Sequence, residues 1–106
     1  MSWYRTRALE DIPVGGLLAV EAGEEELLLC RIDERTVCAV GNACSHDDAP
    51  LADGWLEGRE IVCPRHGARF DAATGAVLKM PAPTGIESFP TRVTGDGWIE
   101  VEVEED

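Results

Sequence analysis

The stretch Trp98-Ile99-Glu100-Val101-Glu102-Val103, "WIEVEV", sets apolar residues at Ile99, Val101 and Val103 against carboxylates at Glu100 and Glu102. Alternation with a period of two is the pattern of a strand with one face in a core and the other in water. Just upstream, Gly95-Asp96-Gly97 supplies a turn, which predicts a hairpin with Phe89–Val93. Further towards the N-terminus the same grammar recurs. Leu17–Glu21 and Glu26–Ile32 flank "AGEE", with a turn through Gly23. "DER" at Asp33–Arg35 then turns the chain into Thr36–Val40, rich in β-branched residues. No segment carries a sustained helical stripe. The expected fold class is all-β, an antiparallel sandwich or barrel-like base.

A length of 106 residues predicts a single domain, 1–106. Nine basic residues against 21 acidic ones leave a net charge of −12. That sign argues against nucleic acid, whose phosphates need Lys and Arg. It suits a basic docking site on a protein partner, or serves solubility alone. "MSWYRTRALEDIPVGG" places charges where an export signal needs an apolar core. The apolar run Leu27–Cys30 is far too short to cross a bilayer. The expected compartment is therefore the cytoplasm, with no membrane attachment. There the four cysteines are thiols or metal ligands rather than disulfides.

The region from Gly41 to Gly85 has a different texture. It holds Gly54, Gly58, Gly67 and Gly75 as well, with Pro50, Pro64, Pro81 and Pro83. Loops held between strands are where function is usually carried. Both histidines of the chain lie here, each close after a cysteine: Cys44-x-His46, sixteen residues, then Cys63-x-x-His66. Two tight loops can turn two thiolates and two imidazoles towards one centre. Zinc accepts such a set as a tetrahedron. A 2Fe–2S cluster with mixed ligation uses it differently, two Cys on one iron and two His on the other. Zinc fingers commonly keep like residues together, whereas here each loop contributes one of each, which suits the cluster better. Spacing alone leaves both open.

Other residues of the region read as ordinary turn chemistry with a bearing on the site. Gly67 permits a backbone turn after His66 that a β-carbon would crowd, and Pro64 stiffens the second loop. "MPAP" at Met80–Pro83 makes a stiff loop suited to covering a metal centre. Cys30 and Cys38 lie inside the strand patterns "LLLCRI" and "TVCAV" with no histidine nearby. They read as core thiols, small hydrophobes that face one another if the hairpin turns near Glu34.

Beyond its ligands, "CSHDDAPLADGWLEGREIVCPRHGARFDAATGAVLKMPAP" resembles the cluster-binding region of bacterial Rieske ferredoxins, with Gly67, Phe70, Asp71, Thr74, Gly75 and the proline loop in matching places. The resemblance is strong over Val40–Pro83 and weaker over the flanks. It implies one Rieske-type 2Fe–2S cluster, held by Cys44 and Cys63 on the inner iron and by His46 and His66 on the outer. It also implies a small cluster-binding subdomain, about 41–85, set on the antiparallel base.

Family branches separate on particular residues. Rieske proteins of cytochrome complexes add a cysteine to each ligand loop, where this chain has Ala49 and Arg65, and carry a membrane helix. Oxygenase subunits need further histidines for a mononuclear iron, and here both are committed. What remains is a carrier, a monomeric one-electron shuttle from a reductase to an oxygenase or other redox partner. It is a component of such a system and not itself an enzyme. Asp47, Asp48, Pro50, Pro64 and Arg65 would form the rim of its exposed side. A redox sensor or accessory protein of iron–sulfur assembly, and a Cys2His2 zinc-binding interaction module, stand as alternatives. High-potential members of the family place a serine and a tyrosine where this chain has Ala68 and Phe70, which implies a low potential here.

Overall fold

The computed structural model describes residues 2–42, 50–64, 67–79 and 84–104. Its strands in chain order are β1 (Ser2–Ala8), β2 (Leu17–Ala22), β3 (Glu25–Arg31), β4 (Val37–Gly41), β5 (Trp55–Glu57) and β6 (Glu60–Val62). There follow β7 (Arg69–Asp71), β8 (Val77–Lys79), β9 (Ser88–Phe89), β10 (Thr91–Val93) and β11 (Trp98–Val103). Helix among the described residues is confined to two 3₁₀ turns, Leu9–Asp11 and Leu51–Asp53. No helix among them is long and apolar enough to cross a membrane.

The all-β expectation holds, as three antiparallel sheets ordered β1-β11-β10, β2-β3-β4-β9 and β5-β6-β7-β8. The second sheet is the middle layer, and β3 shows why. Leu27 and Leu29 pack with Ile99, Val101 and Val103 of β11 in one core. Leu28 and Cys30, on the opposite face of the same strand, pack with Ile61, Cys63, Ala68 and Phe70 in another. Leu27–Cys30 is thus an uninterrupted buried run because its strand is covered on both sides. Each such fully buried Leu contributes about 1.5–3 kcal/mol. β11 has the one-faced alternation that its sequence announces, with Ile99, Val101 and Val103 buried. On its wet face Glu100 accepts a 2.7 Å bond from Arg92 Nε and lies 3.6 Å from Arg5 Nε.

Several boundaries differ from the sequence reading, each for a physical reason. Phe89–Val93 is not one strand. Phe89 pairs with Ala39 of the middle sheet, while Thr91–Val93 pairs with Val101–Ile99 of the first. Pro90, lacking an N–H, stands where the chain changes sheets, and its carbonyl accepts the Glu102 N–H at 3.0 Å. Thr91 Oγ1 donates to the Val37 carbonyl at 2.6 Å, tying the sheets at this corner. β1 has no counterpart in the reading above, because its pairing residues on β11 lie at the far end of the chain. The 41–85 region also holds more strand than its glycines and prolines suggest, the whole sheet β5-β6-β7-β8. The turn through Gly23 stands as expected, at a φ of 63°.

Candidate metal centre

The loop that begins at Cys63 leaves the end of β6. The Cys63 N–H donates to the Ala68 carbonyl at 2.8 Å, and the Gly67 N–H returns to the Cys63 carbonyl at 3.1 Å. Gly67 closes this turn at a φ of 73°, a left-handed conformation that a side chain rarely adopts. Cys63 itself is buried with a free thiol, while the adjoining Pro64 is exposed. The loop therefore starts in the core and emerges at the surface within one residue.

Below this loop Gly54 lies against β6. A methyl group placed on it would sit 1.9 Å from the Val62 carbonyl oxygen and 3.2 Å from Pro64 Cδ. Gly54 is required by that close approach, since its φ of −91° is open to any residue.

The first loop is held at its two ends. Asn42, at the end of β4, accepts the Leu51 N–H on its carbonyl at 3.3 Å and the Ala52 N–H on its side-chain oxygen at 3.0 Å. Its own N–H and side-chain amide donate to the backbone oxygen and carboxylate of Glu26, at 3.3 and 2.7 Å.

Asp71, Thr74 and Gly75 build the turn between β7 and β8. Asp71 Oδ1 accepts the N–H groups of Ala73 and Thr74 at 2.8 and 3.1 Å, and its carbonyl accepts that of Gly75 at 2.7 Å. Gly75 carbonyl in turn accepts the Ile86 N–H at 2.8 Å, so this turn braces the chain just after the proline segment. On the outer face, Trp55 Nε1 donates to Glu57 at 2.7 Å and Arg69 adds a 3.0 Å bond to the same carboxylate. Those two donors, the indole first, hold the Glu57 carboxyl below the usual carboxylate range.

Of the sequence-derived ligands, Cys63 is the one among the described residues; Cys44, His46 and His66 lie outside them, as do Asp47, Asp48, Ala49, Arg65 and Met80–Pro83. Among the described residues no three of His, Cys, Asp and Glu gather to hold a metal. The residues that are described fit an iron–sulfur site. A buried thiol outside any disulfide stands on a turn closed by Gly67, and Asn42 and Ala52 bring the ends of the other loop together. Sequence reasoning passed over Asn42 and the specific need for Gly54. "DG" at Asp53–Gly54 signals only a turn.

Cys30 and Cys38 are direct partners across β3 and β4, and both thiols are free. Burial pushes the Cys30 thiol far above its ordinary range, with the neighbouring Cys38 adding to the effect. Desolvation also raises Cys38. Both sit in or against the core between the middle sheet and the β5–β8 sheet, as small apolar groups.

A four-stranded sheet with the buried Cys63 at the base of a glycine-closed turn, packed on an antiparallel base, is the architecture of an all-β protein with a thiol set beside an exposed loop. The profile of the Rieske [2Fe-2S] domain matches residues 2–90, and the chain belongs to that family. Among its relatives is the ferredoxin component of the naphthalene 1,2-dioxygenase system of Pseudomonas aeruginosa, 41% identical over 88% of each chain. The solved ferredoxin of carbazole 1,9a-dioxygenase from Nocardioides aromaticivorans IC177 superposes with a TM-score of 0.91 at 29% identity, covering 98% of this chain and 100% of the other. A chain from the complex of reduced oxygenase and oxidised ferredoxin in carbazole 1,9a-dioxygenase matches at a TM-score of 0.88 and 28% identity, covering 98% and 95%. The cofactor is accordingly a Rieske 2Fe–2S cluster, which replaces the zinc alternative. The protein is an electron-carrying ferredoxin and not a catalyst.

Proposed function

We propose that this chain carries single electrons from a reductase to the oxygenase of an aromatic ring-hydroxylating dioxygenase system. It would do so as a cytoplasmic monomer of one domain, 1–106, whose 41–85 region holds the centre. The observation that carries this reading is the near full-length match to ferredoxin components of dioxygenase systems, one solved relative of which is a complex of ferredoxin with its oxygenase.

In this reading Cys44 and Cys63 would hold the inner iron as thiolates, and His46 and His66 would hold the outer one through imidazole nitrogen. The bound cluster supplies a reversible one-electron couple. The protein's own part is to exclude water from the inner side and expose the outer. Burial of Cys63 beside Ala68 and Phe70 serves the first need. Exposure of Pro50 and Pro64, which flank the two loops, serves the second, since a docked partner must come within tunnelling reach. A net charge of −12 favours encounter with a basic site on the partner.

Purified protein should be brown and, once reduced with dithionite, give the EPR signal of a mixed-ligand cluster. Cys44→Ser and Cys63→Ser should abolish it, and His46→Ala and His66→Ala should change it or lose the iron. Retention of the native signal by His66→Ala would overturn the ligand assignment. Turnover by a naphthalene-class dioxygenase and its reductase should depend on added protein; no stimulation would refute the carrier role in such a system.

A further inference from the structure

Asn42 is the buried polar side chain among the described residues, 7% exposed, and it lies two residues before Cys44. Every hydrogen-bonding group it possesses that is described has a partner with one meaning. Glu26 Oε1 only accepts, so it must face the side-chain NH2. The Ala52 N–H only donates, so it must face Oδ1. The amide orientation is therefore dictated by its neighbours. No other side chain of this size meets both demands: aspartate has no donor, and serine is too short to span both partners.

The two ends of the first ligand loop meet on this residue. Asn42 precedes the loop, while Leu51 and Ala52, which follow it, bond to its carbonyl and side chain. Glu26 ties the same residue down to the end of β3, in the middle sheet. Closing a loop at its base removes most of the conformations its interior can adopt. We propose that Asn42, braced by Glu26, is a positioning residue that sets the first ligand loop for the cluster. This rests on the reading of Cys44 and His46 as ligands. It extends that reading to a residue outside the ligand set.

The test uses the intact holoprotein and four variants: Asn42→Ala, Asn42→Asp, Glu26→Gln and the double Asn42→Asp/Glu26→Gln. Asn42→Asp keeps the acceptor for Ala52 but sets two carboxylates face to face. The double variant restores a complementary pair with donor and acceptor exchanged. Iron release to a chelator, followed by visible absorption, should quicken on the order of tenfold in Asn42→Ala and Asn42→Asp. It should return to within roughly twofold of the parent in the double variant. Amide exchange at Ala52 should follow the same order, while exchange in β3 and β11 should hold, which separates positioning from general destabilisation. The EPR lines of the dithionite-reduced cluster should broaden in Asn42→Asp and sharpen again in the double variant. Faster Ala52 exchange with unchanged iron release would overturn the positioning role alone. So would a double variant no better than Asn42→Asp. A parent protein without a mixed-ligand signal would instead overturn the ligand reading, and this role with it.

Discussion

Gly54→Ala tests how closely the chain is fitted against β6 just before Cys63. The added methyl carbon would sit 1.9 Å from the Val62 carbonyl oxygen, where about 3.0 Å is the closest tolerable approach. The oxygen must retreat by about 1.1 Å, and it belongs to the residue that immediately precedes Cys63. A flexible side-chain tip would yield at little cost. Here the obstacle is backbone on a strand paired on both sides, Val62 with Trp55 and with Arg69. Overpacking costs about 1–3 kcal/mol and more where nothing can relax, so the upper end, about 3 kcal/mol, applies. For a domain of this size that is a fall of roughly 12 °C in Tm. Gly58→Ala is the control. Gly58 has a φ of 62° and open space around its Cα, so alanine there meets only the left-handed backbone penalty, about 1–2 kcal/mol. Thermal unfolding by circular dichroism and cluster absorption should be read together. Gly54→Ala should lose both stability and colour, and Gly58→Ala only a few degrees. A Gly54→Ala protein with parental Tm and full cluster content would refute the close approach at β6.

Three further outcomes are expected. Ala68 and Phe70 are buried beside Cys63 and carry no hydroxyl, so neither side chain can donate to the reduced cluster, and its potential should lie in the lower part of the Rieske range of about −150 to +300 mV. Protein-film voltammetry should show Ala68→Ser raising it; a midpoint near the top of that range in the parent would contradict this. Replacing Cys30 and Cys38 together by Ala and Val should leave the iron content of the cluster intact and cost packing stability alone, since both are core thiols. Loss of iron with the fold retained would place them in the site. Asp33 accepts the Arg35 and Thr36 N–H groups at 2.9 and 2.8 Å and the Thr36 hydroxyl at 3.0 Å, and these bonds hold its carboxyl below the usual range. Its contribution is fully present above the ordinary carboxylate pKa and is lost as pH falls through the depressed one. Asp33→Asn should flatten that part of the acid unfolding curve, and an unchanged acid limb would remove Asp33 from it.

Local pattern alone determined a good deal here. The alternation in "WIEVEV", the turn at Gly23 and the β-branched run before Gly41 are signals complete within a few residues, and each became the strand or turn it announced. The paired Cys and His spacing pointed to a mixed-ligand metal site, and the family assignment agrees that the cofactor is a 2Fe–2S cluster. Tertiary structure decided what depends on distant partners. That Leu27–Cys30 is buried on both faces follows from β11 on one side and Ile61, Cys63 and Phe70 on the other, none of them nearby in sequence. Pro90 reads locally as a blemish in one strand, and only the sheets on either side make it the point where the chain changes layer. Gly54 and Asn42 have unremarkable local sequence; the first is fixed by a carbonyl on β6, the second by Glu26 and Ala52. Period and spacing are properties of a short stretch of chain. Close approach and hydrogen-bond closure arise only where folding brings separate stretches together.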